Sequence, residues 1–365
     1  MTESPVGVTH SANIFNPDHW ANALHGYHYD CINPDALLAS TADNGLLVTP
    51  GGMRYRILVL PESYAPGIGR LPLSDRIRQK IETLRKAGIM VIDKPYTGND
   101  FTQQGVAPDV ILPDSMDFYH RREVRQDIYF LASQQSSPRR ADISVRGEYP
   151  FAVVENPLDG SRYALSTSIK NERTAVSLSL PAYGSALVYF SEKPLQASGQ
   201  QKIKCVTSQA LIAKWQVHFN HLDRDSLWDG KTGVFDWSKS LDVNVAYYSG
   251  TVCMTTKRQL KTRHDRTLLR LEGLRDVAHV FVNGTDCGVV WTAPYEADIT
   301  RALRKGSNEI NIKVTNTWHN ALMGADKGLP PFMGIWTNAR YRDKSGKLLP
   351  AGVLGDITII NEDYE

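Results

Sequence analysis

The sequence lacks both long hydrophobic runs and an apolar start. Its 365 residues contain no stretch of about 18 consecutive apolar residues, the length that a membrane-spanning helix needs, so we expect no membrane partner. The opening residues, MTESPVGVTHSANIFNPDHW, have neither the basic start nor the apolar core of a signal peptide. This predicts either a cytoplasmic protein or a chain whose true start lies upstream of Met1, in which case the parent protein could be periplasmic.

Cysteine is scarce and the net charge is small. The four cysteines are far apart and form no C-x-x-C pair, which argues against a zinc ribbon, a redox dithiol and a disulfide framework: Cys31, Cys205, Cys253 and Cys287. Lys and Arg total 41 against 39 Asp and Glu, and the resulting charge of +2 predicts no general attraction to nucleic acid.

Motifs for catalysis and cofactor binding are absent as well. The sequence has no G-x-S-x-G elbow and no H-E-x-x-H pair. The segment PESYAPGIGR at 61–70 lies between a predicted strand and a predicted helix, where a phosphate loop would lie. It lacks a third glycine and a G-K-[ST] ending, so we expect no nucleotide and no other cofactor.

The composition is sufficient for several hydrophobic cores. Apolar residues make up 42% of the chain and charged residues 22%, and the length indicates two or three domains. We predict a mainly β fold with four parts. A leader or a remnant of a preceding domain covers 1–25, a small α/β domain covers 26–115, a β-sandwich covers 116–192, and a jelly roll covers 203–365.

The predicted α/β domain alternates strand and helix. YRILVL at 55–60 is a short apolar run typical of a buried parallel strand. Ser74 can cap a helix whose apolar face is formed by Ile77, Ile81 and Leu84. IMVI at 89–92 completes a βαβ unit, and 110–112 is a candidate further strand. We interpret this region as a flavodoxin-like or amidotransferase-like domain.

Short strands dominate the rest of the chain. DIYFLAS, RADISVRG, PFAVVENP and TAVSLSL follow one another at intervals typical of a β-sandwich. A polar linker at 193–202 separates them from a second β region. There the Asn283-Gly284 pair between apolar runs is the strongest short hairpin signal, and a strand at 356–360 ends the pattern.

Several motifs in order carry a family resemblance. The stretch at 269–320, with its V-N-G hairpin, G-x-x-W strand and D-I-T turn, resembles the galactose-binding-like jelly roll of glycoside hydrolases. The other motifs are GYHYDCINPDALL at 26–38, HRREVRQDIYFLAS at 120–133, WHNALMG at 318–324 and AGVLGDITI at 351–359. In this order they are similar to bacterial α-L-rhamnosidase-type glycoside hydrolases of family 106.

Two departures from the family limit what the resemblance implies. His28 stands where the family pattern usually has Asp. The family's catalytic barrel precedes the G-Y segment and needs about 200–250 residues, but only 25 residues precede Gly26 here. The resemblance therefore implies an accessory region without the barrel and without catalytic residues. A separate barrel polypeptide is then a candidate partner.

Sugar contact is expected mainly in the jelly roll. Trp318 and Trp336 are candidates for stacking on sugar C–H groups, and three polar residues are candidates for binding hydroxyls: Asn316, His319 and Asn320. The alternative is that these residues serve packing and turns. For Trp291 we favour a place in the core.

Two polar segments have competing interpretations. Tyr27, Tyr29 and Asp30 are candidates for the rim of an active site that the barrel would complete, whereas His25, His28 and Asp30 are candidate metal ligands. We favour a plain strand with His28 and Asp30 on one face. HRREVRQD is a candidate phosphate site, a buried inter-domain ion pair, or a surface strand and turn with local Arg–carboxylate pairs, and we favour the last.

Three functional hypotheses follow. The first is an accessory part of a rhamnosidase-like glycoside hydrolase that binds carbohydrate and serves as a scaffold. The second is a free-standing carbohydrate-binding protein, and the third is a structural β-sandwich protein with no active site. The DNA upstream of the Met1 codon separates the first from the others, because only the first predicts a frame that encodes a barrel.

Overall fold

The computed structural model describes most of the chain and divides it into two compact units. The first unit extends to Leu180 and includes Ser185–Ser198, and the second comprises Pro181–Gly184 and the residues from 199 onward. The described residues are 26–30, 32–60, 73–92, 101–198, 203–220, 222, 224–228, 235–260, 264–337 and 346–365. The predicted leader at 1–25, His25, Cys31, the segment 61–70 and part of the linker lie outside them.

The first unit begins with a small α/β region. Its elements are α1 (Pro34–Ala39), β1 (Thr41–Asp43), β2 (Leu46–Val48), β3 (Arg54–Tyr55), β4 (Ile57–Val59), α2 (Asp75–Lys86) and β5 (Met90–Ile92). Strand β4 precedes α2 in the chain and β5 follows it, and the two strands pair in parallel, as the predicted βαβ unit requires. Strands β1 to β3 form a separate antiparallel sheet.

Local sequence explains why these elements form. The Ser74 side chain accepts a hydrogen bond from the backbone of Ile77, which caps α2 as predicted. The three apolar residues of its predicted face are buried and form the core with Leu37, Leu47 and Leu58. Asn33 caps α1 in the same way, with Pro34 in the first turn.

A β-sandwich follows in the first unit. Its strands are β6 (Val110–Ile111), β7 (Met116–Arg122), β8 (Gln126–Ser133), β9 (Arg139–Arg146), β10 (Phe151–Glu155), β11 (Arg162–Leu165), β12 (Ser168–Lys170), β13 (Arg173–Leu180) and β14 (Ser185–Ser191). One sheet has the order β11-β10-β14-β8-β7 and the other has the order β12-β13-β9-β6. Strand β6 is the candidate strand at 110–112, and its partner is β9 of the sandwich rather than the parallel pair.

The second unit is a jelly roll. Its strands are β15 (Ile203–Ala210), β16 (Trp215–Phe219), β17 (Arg224–Trp228), β18 (Phe235–Asp236), β19 (Thr251–Leu260), β20 (Arg266–Leu271), β21 (Val277–Val282), β22 (Thr285–Val290), β23 (Glu296–Asp298), β24 (Gly306–Thr315), β25 (Gly352–Val353) and β26 (Ile357–Tyr364). Two short helices, α3 (Val243–Ala246) and α4 (His319–Asp326), lie in the connections.

Two sheets enclose the core of the jelly roll. The larger has the order β17-β16-β19-β24-β21-β22 and the smaller has the order β15-β26-β20-β23. Alternate residues of both sheets face inward, including Val280, Ile312 and Leu269, none of which is exposed to solvent. The predicted Asn283-Gly284 turn forms with φ of 52° and 78°, as a tight two-residue hairpin requires.

The prediction of a mainly β protein with a small α/β region is therefore confirmed, whereas the exact domain bounds stay a prediction. Every helix in the described part of the chain is too short or too polar to cross a membrane.

Candidate functional site

Among the described residues of the jelly roll, the two most exposed tryptophans lie in one connection. We call residues 316–337, which follow β24, the tryptophan loop. Strand β24 ends at Thr315, opposite Thr251 of β19 and Val277 of β21, so the loop begins at one end of the six-stranded sheet. Trp318 is 63% exposed and Trp336 is 76% exposed, so both indoles are accessible to a ligand.

The two candidate asparagines hold this loop in place. The Asn316 side chain accepts a hydrogen bond from the Gly250 amide at 2.8 Å and donates one to the Tyr248 carbonyl at 3.0 Å. Asn320 is buried, and its amide exchanges two hydrogen bonds of 2.9 Å with the backbone of Leu349. Both amide groups are therefore engaged with backbone, which stabilises the turns of this segment, and their contact with sugar stays a prediction.

His319 and the second half of the loop are anchored in other ways. The Nε2 atom of His319 lies 3.3 Å from the Lys347 carbonyl oxygen. The Phe332 ring packs so closely on Gly324 that a Cβ on that glycine would lie 2.6 Å from it, and its centroid is 6.4 Å from that of Tyr247. The two exposed tryptophans thus project from a packed loop, which favours binding because little ordering is needed.

Trp291 does not lie in the core, so that prediction is wrong. The residue follows the buried Val290 at the end of β22 and is 59% exposed. The reason is the alternation of a strand: a buried Val290 places the next side chain on the opposite face. The sequence did not reveal this alternation, because residues 289–291 read V-V-W, a continuous apolar run.

Asp276 was not identified from the sequence, although it lies at the same end of the sheet. Burial raises the pKa of Asp276 to about 6, against the opposing effect of hydrogen bonds from the backbone amides of Gly352 and Thr317 and of the Arg275 charge. One of its carboxyl oxygens is buried without a hydrogen-bond partner. Asp276 is therefore a buried carboxyl group directly before β21.

The segment at 26–30 forms no strand, which corrects the interpretation that we favoured. Tyr27 is buried, its hydroxyl donates to the Val106 carbonyl at 2.9 Å, and it accepts from the Phe101 amide at 2.7 Å. These hydrogen bonds of the hydroxyl fix the chain here without strand pairing. Tyr27 thus acts as a packing residue.

The other candidate rim residues lie nearby. Asp30 is exposed and accepts a hydrogen bond from the Tyr55 hydroxyl, while Tyr29 is partly buried against the Tyr27–Phe101 cluster. Burial and this bond raise the pKa of Tyr55 to about 12. No three His, Cys, Asp or Glu side chains come close enough to hold a metal ion within the described ranges.

HRREVRQD contains a buried carboxylate rather than only surface pairs. Strands β7 and β8 pair Arg122 opposite Asp127, and the Asp127 carboxylate receives hydrogen bonds from two guanidinium nitrogens at 2.8 and 2.9 Å. The His120 Nε2 atom lies 2.9 Å away and the Tyr149 hydroxyl donates to the same carboxylate. Because these partners satisfy Asp127, the cluster supports the sandwich. Local Arg–carboxylate pairs are present as predicted, Arg122 with Asp127 and Arg121 with Glu123.

Comparison with known proteins relates the jelly roll to glycoside hydrolases. Residues 239–343 match the family described as glycosyl hydrolase 2 galactose-binding domain-like. A protein of Formosa agariphila that carries the provisional name β-glucuronidase is 33% identical over 151 residues, which cover 34% of this chain and 13% of that protein. The chain thus contains a glycoside hydrolase-related, galactose-binding-like domain.

A solved structure is similar over a longer range. A rhamnosidase from Novosphingobium sp. PP1Y is 26% identical, with a TM-score of 0.65, and the match covers 92% of this chain and 36% of that one. The chain therefore spans about a third of that rhamnosidase and a smaller part of the Formosa protein. The similarity includes both compact units, because it covers nearly all of the chain.

Proposed function

We propose that this chain forms an accessory, non-barrel region of a rhamnosidase-type glycoside hydrolase and that its jelly roll contacts carbohydrate. The observation that carries the proposal is the similarity to one rhamnosidase across 92% of the chain. The galactose-binding-like match and the order of the family 106 motifs support it. Under this proposal the four predicted parts are the domains of that region, and the acid and base of hydrolysis lie outside these residues.

Trp318 and Trp336 are the proposed sugar contacts, because both indoles are exposed on an anchored loop. An indole face packs on the apolar C–H groups of a sugar ring. Asn316 and Asn320 support the loop, and His319 lies beside Trp318 at its start. A stacked ring adds about 1 kcal/mol beyond its buried area, so we expect a dissociation constant of about 1 mM.

We expect no hydrolysis of aryl α-L-rhamnosides or other aryl glycosides by this chain alone. A glycosidase needs two positioned carboxylates, and the proposal places both of them outside these residues. The measurement is release of the aryl alcohol, with heat-denatured protein as the control. Turnover that disappears in a single Asp or Glu variant would contradict the proposal. Asp276→Asn is the first variant to make in that case, because the pKa of Asp276 is raised to about 6, as a catalytic acid requires.

Sugar binding is tested by NMR titration with rhamnose, galactose and oligosaccharides. We expect W318A and W336A each to weaken binding about fivefold, because each removes one stacking face. Both side chains are exposed, so both variants should fold. Tyr119→Ala is the matched control, because Tyr119 is 66% exposed but belongs to the sandwich. No chemical-shift change with any sugar in the wild-type protein would refute the binding role.

A further inference from the structure

The five-stranded sheet of the β-sandwich is apolar on both faces. In β8 and β14 the residues that point into the sandwich are buried in its core: Tyr129, Leu131, Val188 and Phe190. The residues between them point to the outer face and are apolar as well: Ile128, Phe130, Leu187 and Tyr189. An antiparallel sheet whose outer face meets water usually carries polar residues there. The outer face of this sheet is therefore a candidate surface for packing.

The strand register joins these side chains into one patch. Tyr119 of β7 lies opposite Phe130, and Phe130 lies opposite Leu187. In the neighbouring row Ile128 lies opposite Tyr189. We call these five residues the outer apolar patch. Adjacent strands are about 4.8 Å apart, so the row from Tyr119 to Leu187 is about 10 Å long.

The patch is most open at its β7 end, where the sheet ends. Tyr119 is 66% exposed and Phe130 is 38% exposed, whereas the Arg162 guanidinium covers the Tyr189 ring at 4.5 Å from its centroid. The open part amounts to roughly 300 Å². A stable complex of separate proteins buries about 800 Å² on each partner, which is too much for this part of the face. Its size suits a short segment tethered beside it, because a tether supplies an effective concentration in the millimolar range.

The described residues begin next to this end of the patch. The His28 ring centroid lies 5.8 Å from that of Tyr119, and the His28 amide donates to the Asp109 carboxylate at 2.8 Å. The Gly26 carbonyl accepts a hydrogen bond from the Val110 amide at 3.1 Å. Two residues span at most about 7 Å, so Gly26 is close to the edge at which Tyr119 lies. These contacts fix the point at which residues 1–25 join the sandwich.

We propose that the outer apolar patch is the docking surface for residues 1–25 of the same chain. The sequence of that segment places large apolar side chains near Gly26: Phe15, Trp20 and Leu24. Six extended residues reach about 20 Å, so Trp20 can pass along the whole row from Tyr119. An indole and a phenyl ring pack edge to face on the aromatic rings of the patch. The inference goes beyond the proposed function and does not depend on sugar binding.

The test uses the full chain with a photoreactive benzoylphenylalanine in place of Tyr119. Irradiation followed by peptide mass spectrometry should give cross-links within one molecule to residues between 14 and 24. Ile169→benzoylphenylalanine is the matched control, because Ile169 is 45% exposed on β12 of the opposite sheet. It should give at least tenfold fewer cross-links to residues 1–25.

A second substitution tests which side chain of the segment docks. Trp20→Ala should lower the cross-link yield from position 119 about fivefold, because it removes the largest apolar side chain of the segment. Val8→Ala is the matched control, because Val8 is apolar but lies 18 residues before Gly26. It should change the yield less than twofold. In the chain that keeps Tyr119, Trp20→Ala should also make the amide hydrogens of β7 exchange about threefold faster.

Three outcomes overturn the proposal. Equal yields from positions 119 and 169 show that the segment touches the sandwich at random. Cross-links between an isotope-labelled and an unlabelled molecule, instead of within one, show that a second copy covers the patch. The third is a position 119 that forms no cross-link to residues 1–25 together with hydrogen exchange of β7 that is unchanged in Trp20→Ala. None of these results affects the proposed function, which concerns the jelly roll.

Discussion

Replacing Asp127 with Ala should lower the free energy of unfolding of the β-sandwich by about 3 kcal/mol. The carboxylate is only 3% exposed and receives hydrogen bonds from Arg122, His120 and Tyr149. Removing it leaves these donors without their common acceptor, and the tyrosine hydroxyl is partly buried. The Arg122 side chain is 71% exposed and regains water, which keeps the loss near the lower end of the range for a broken buried pair.

The pH dependence of this stabilisation has a defined sign. Burial by itself would raise the pKa of Asp127, but hydrogen bonds from His120, Arg122 and Tyr149 outweigh it and hold the pKa well below its usual value. A lowered pKa in the folded state adds stability above the unfolded pKa of about 3.9, and that stability is lost as the pH falls below it. The difference in free energy of unfolding between wild type and Asp127→Ala should therefore be constant from about pH 5 to 8 and shrink below about pH 4.

Urea denaturation followed by circular dichroism at several pH values measures both effects. Glu123→Ala is the matched control, because Glu123 forms an exposed pair with Arg121 at 3.6 Å in the same hairpin. A surface pair of this kind contributes less than about 1 kcal/mol. Equal losses in the two variants, or a loss that persists in full at about pH 2.5, would show that Asp127 contributes through shape rather than charge.

Local signals in the sequence were sufficient for the helix and the turns. The Ser74 cap and the apolar spacing of α2 are properties of a few neighbouring residues, so the start of the helix and its buried face were predicted. The Asn283-Gly284 turn is local in the same sense. Asn44-Gly45 carries the same signal, adopts φ of 49° and 75°, and connects β1 to β2, but it was not predicted. Its flanking strands have only three residues each, which is too short for a clear alternation.

The site depends on distant residues, so less of it was predictable. Exposure of Trp318 and Trp336 agrees with the sequence-based candidates, because both lie in a long aromatic loop. In the sequence, Asn320 looks like an ordinary polar residue of a helix. Only the structure shows that its side-chain amide forms two hydrogen bonds with the backbone of Leu349, 29 positions away. Asp276 has an ordinary sequence context, and only the fold shows that it is buried, which raises its pKa to about 6.

The structure explains why the second residue of the motif AGVLGDITI, Gly352, is a glycine. Gly352 lies in β25, opposite Asp236 of β18, and has a φ of 122°. A Cβ at this position would overlap the Phe235 carbonyl oxygen and lie 3.1 Å from the ring of the buried Trp237. Neither neighbour can move freely, because one is backbone and the other is a large buried side chain. The glycine is therefore required by both the backbone angle and the space.

We expect Gly352→Ala to lower the free energy of unfolding of the jelly roll by about 4 kcal/mol, which corresponds to a fall in Tm of roughly 10 °C for a unit of this size. Gly288→Ala is the matched control. Gly288 has a similar φ of 95°, but no atom lies within 4 Å of the place that its Cβ would take, so that variant should lose only the backbone contribution of about 1 kcal/mol. Differential scanning calorimetry on both variants separates the two contributions. If Gly352→Ala loses no more stability than Gly288→Ala, then β18 and β25 yield to the added methyl group, and the close contact with Phe235 is not what requires glycine in the motif.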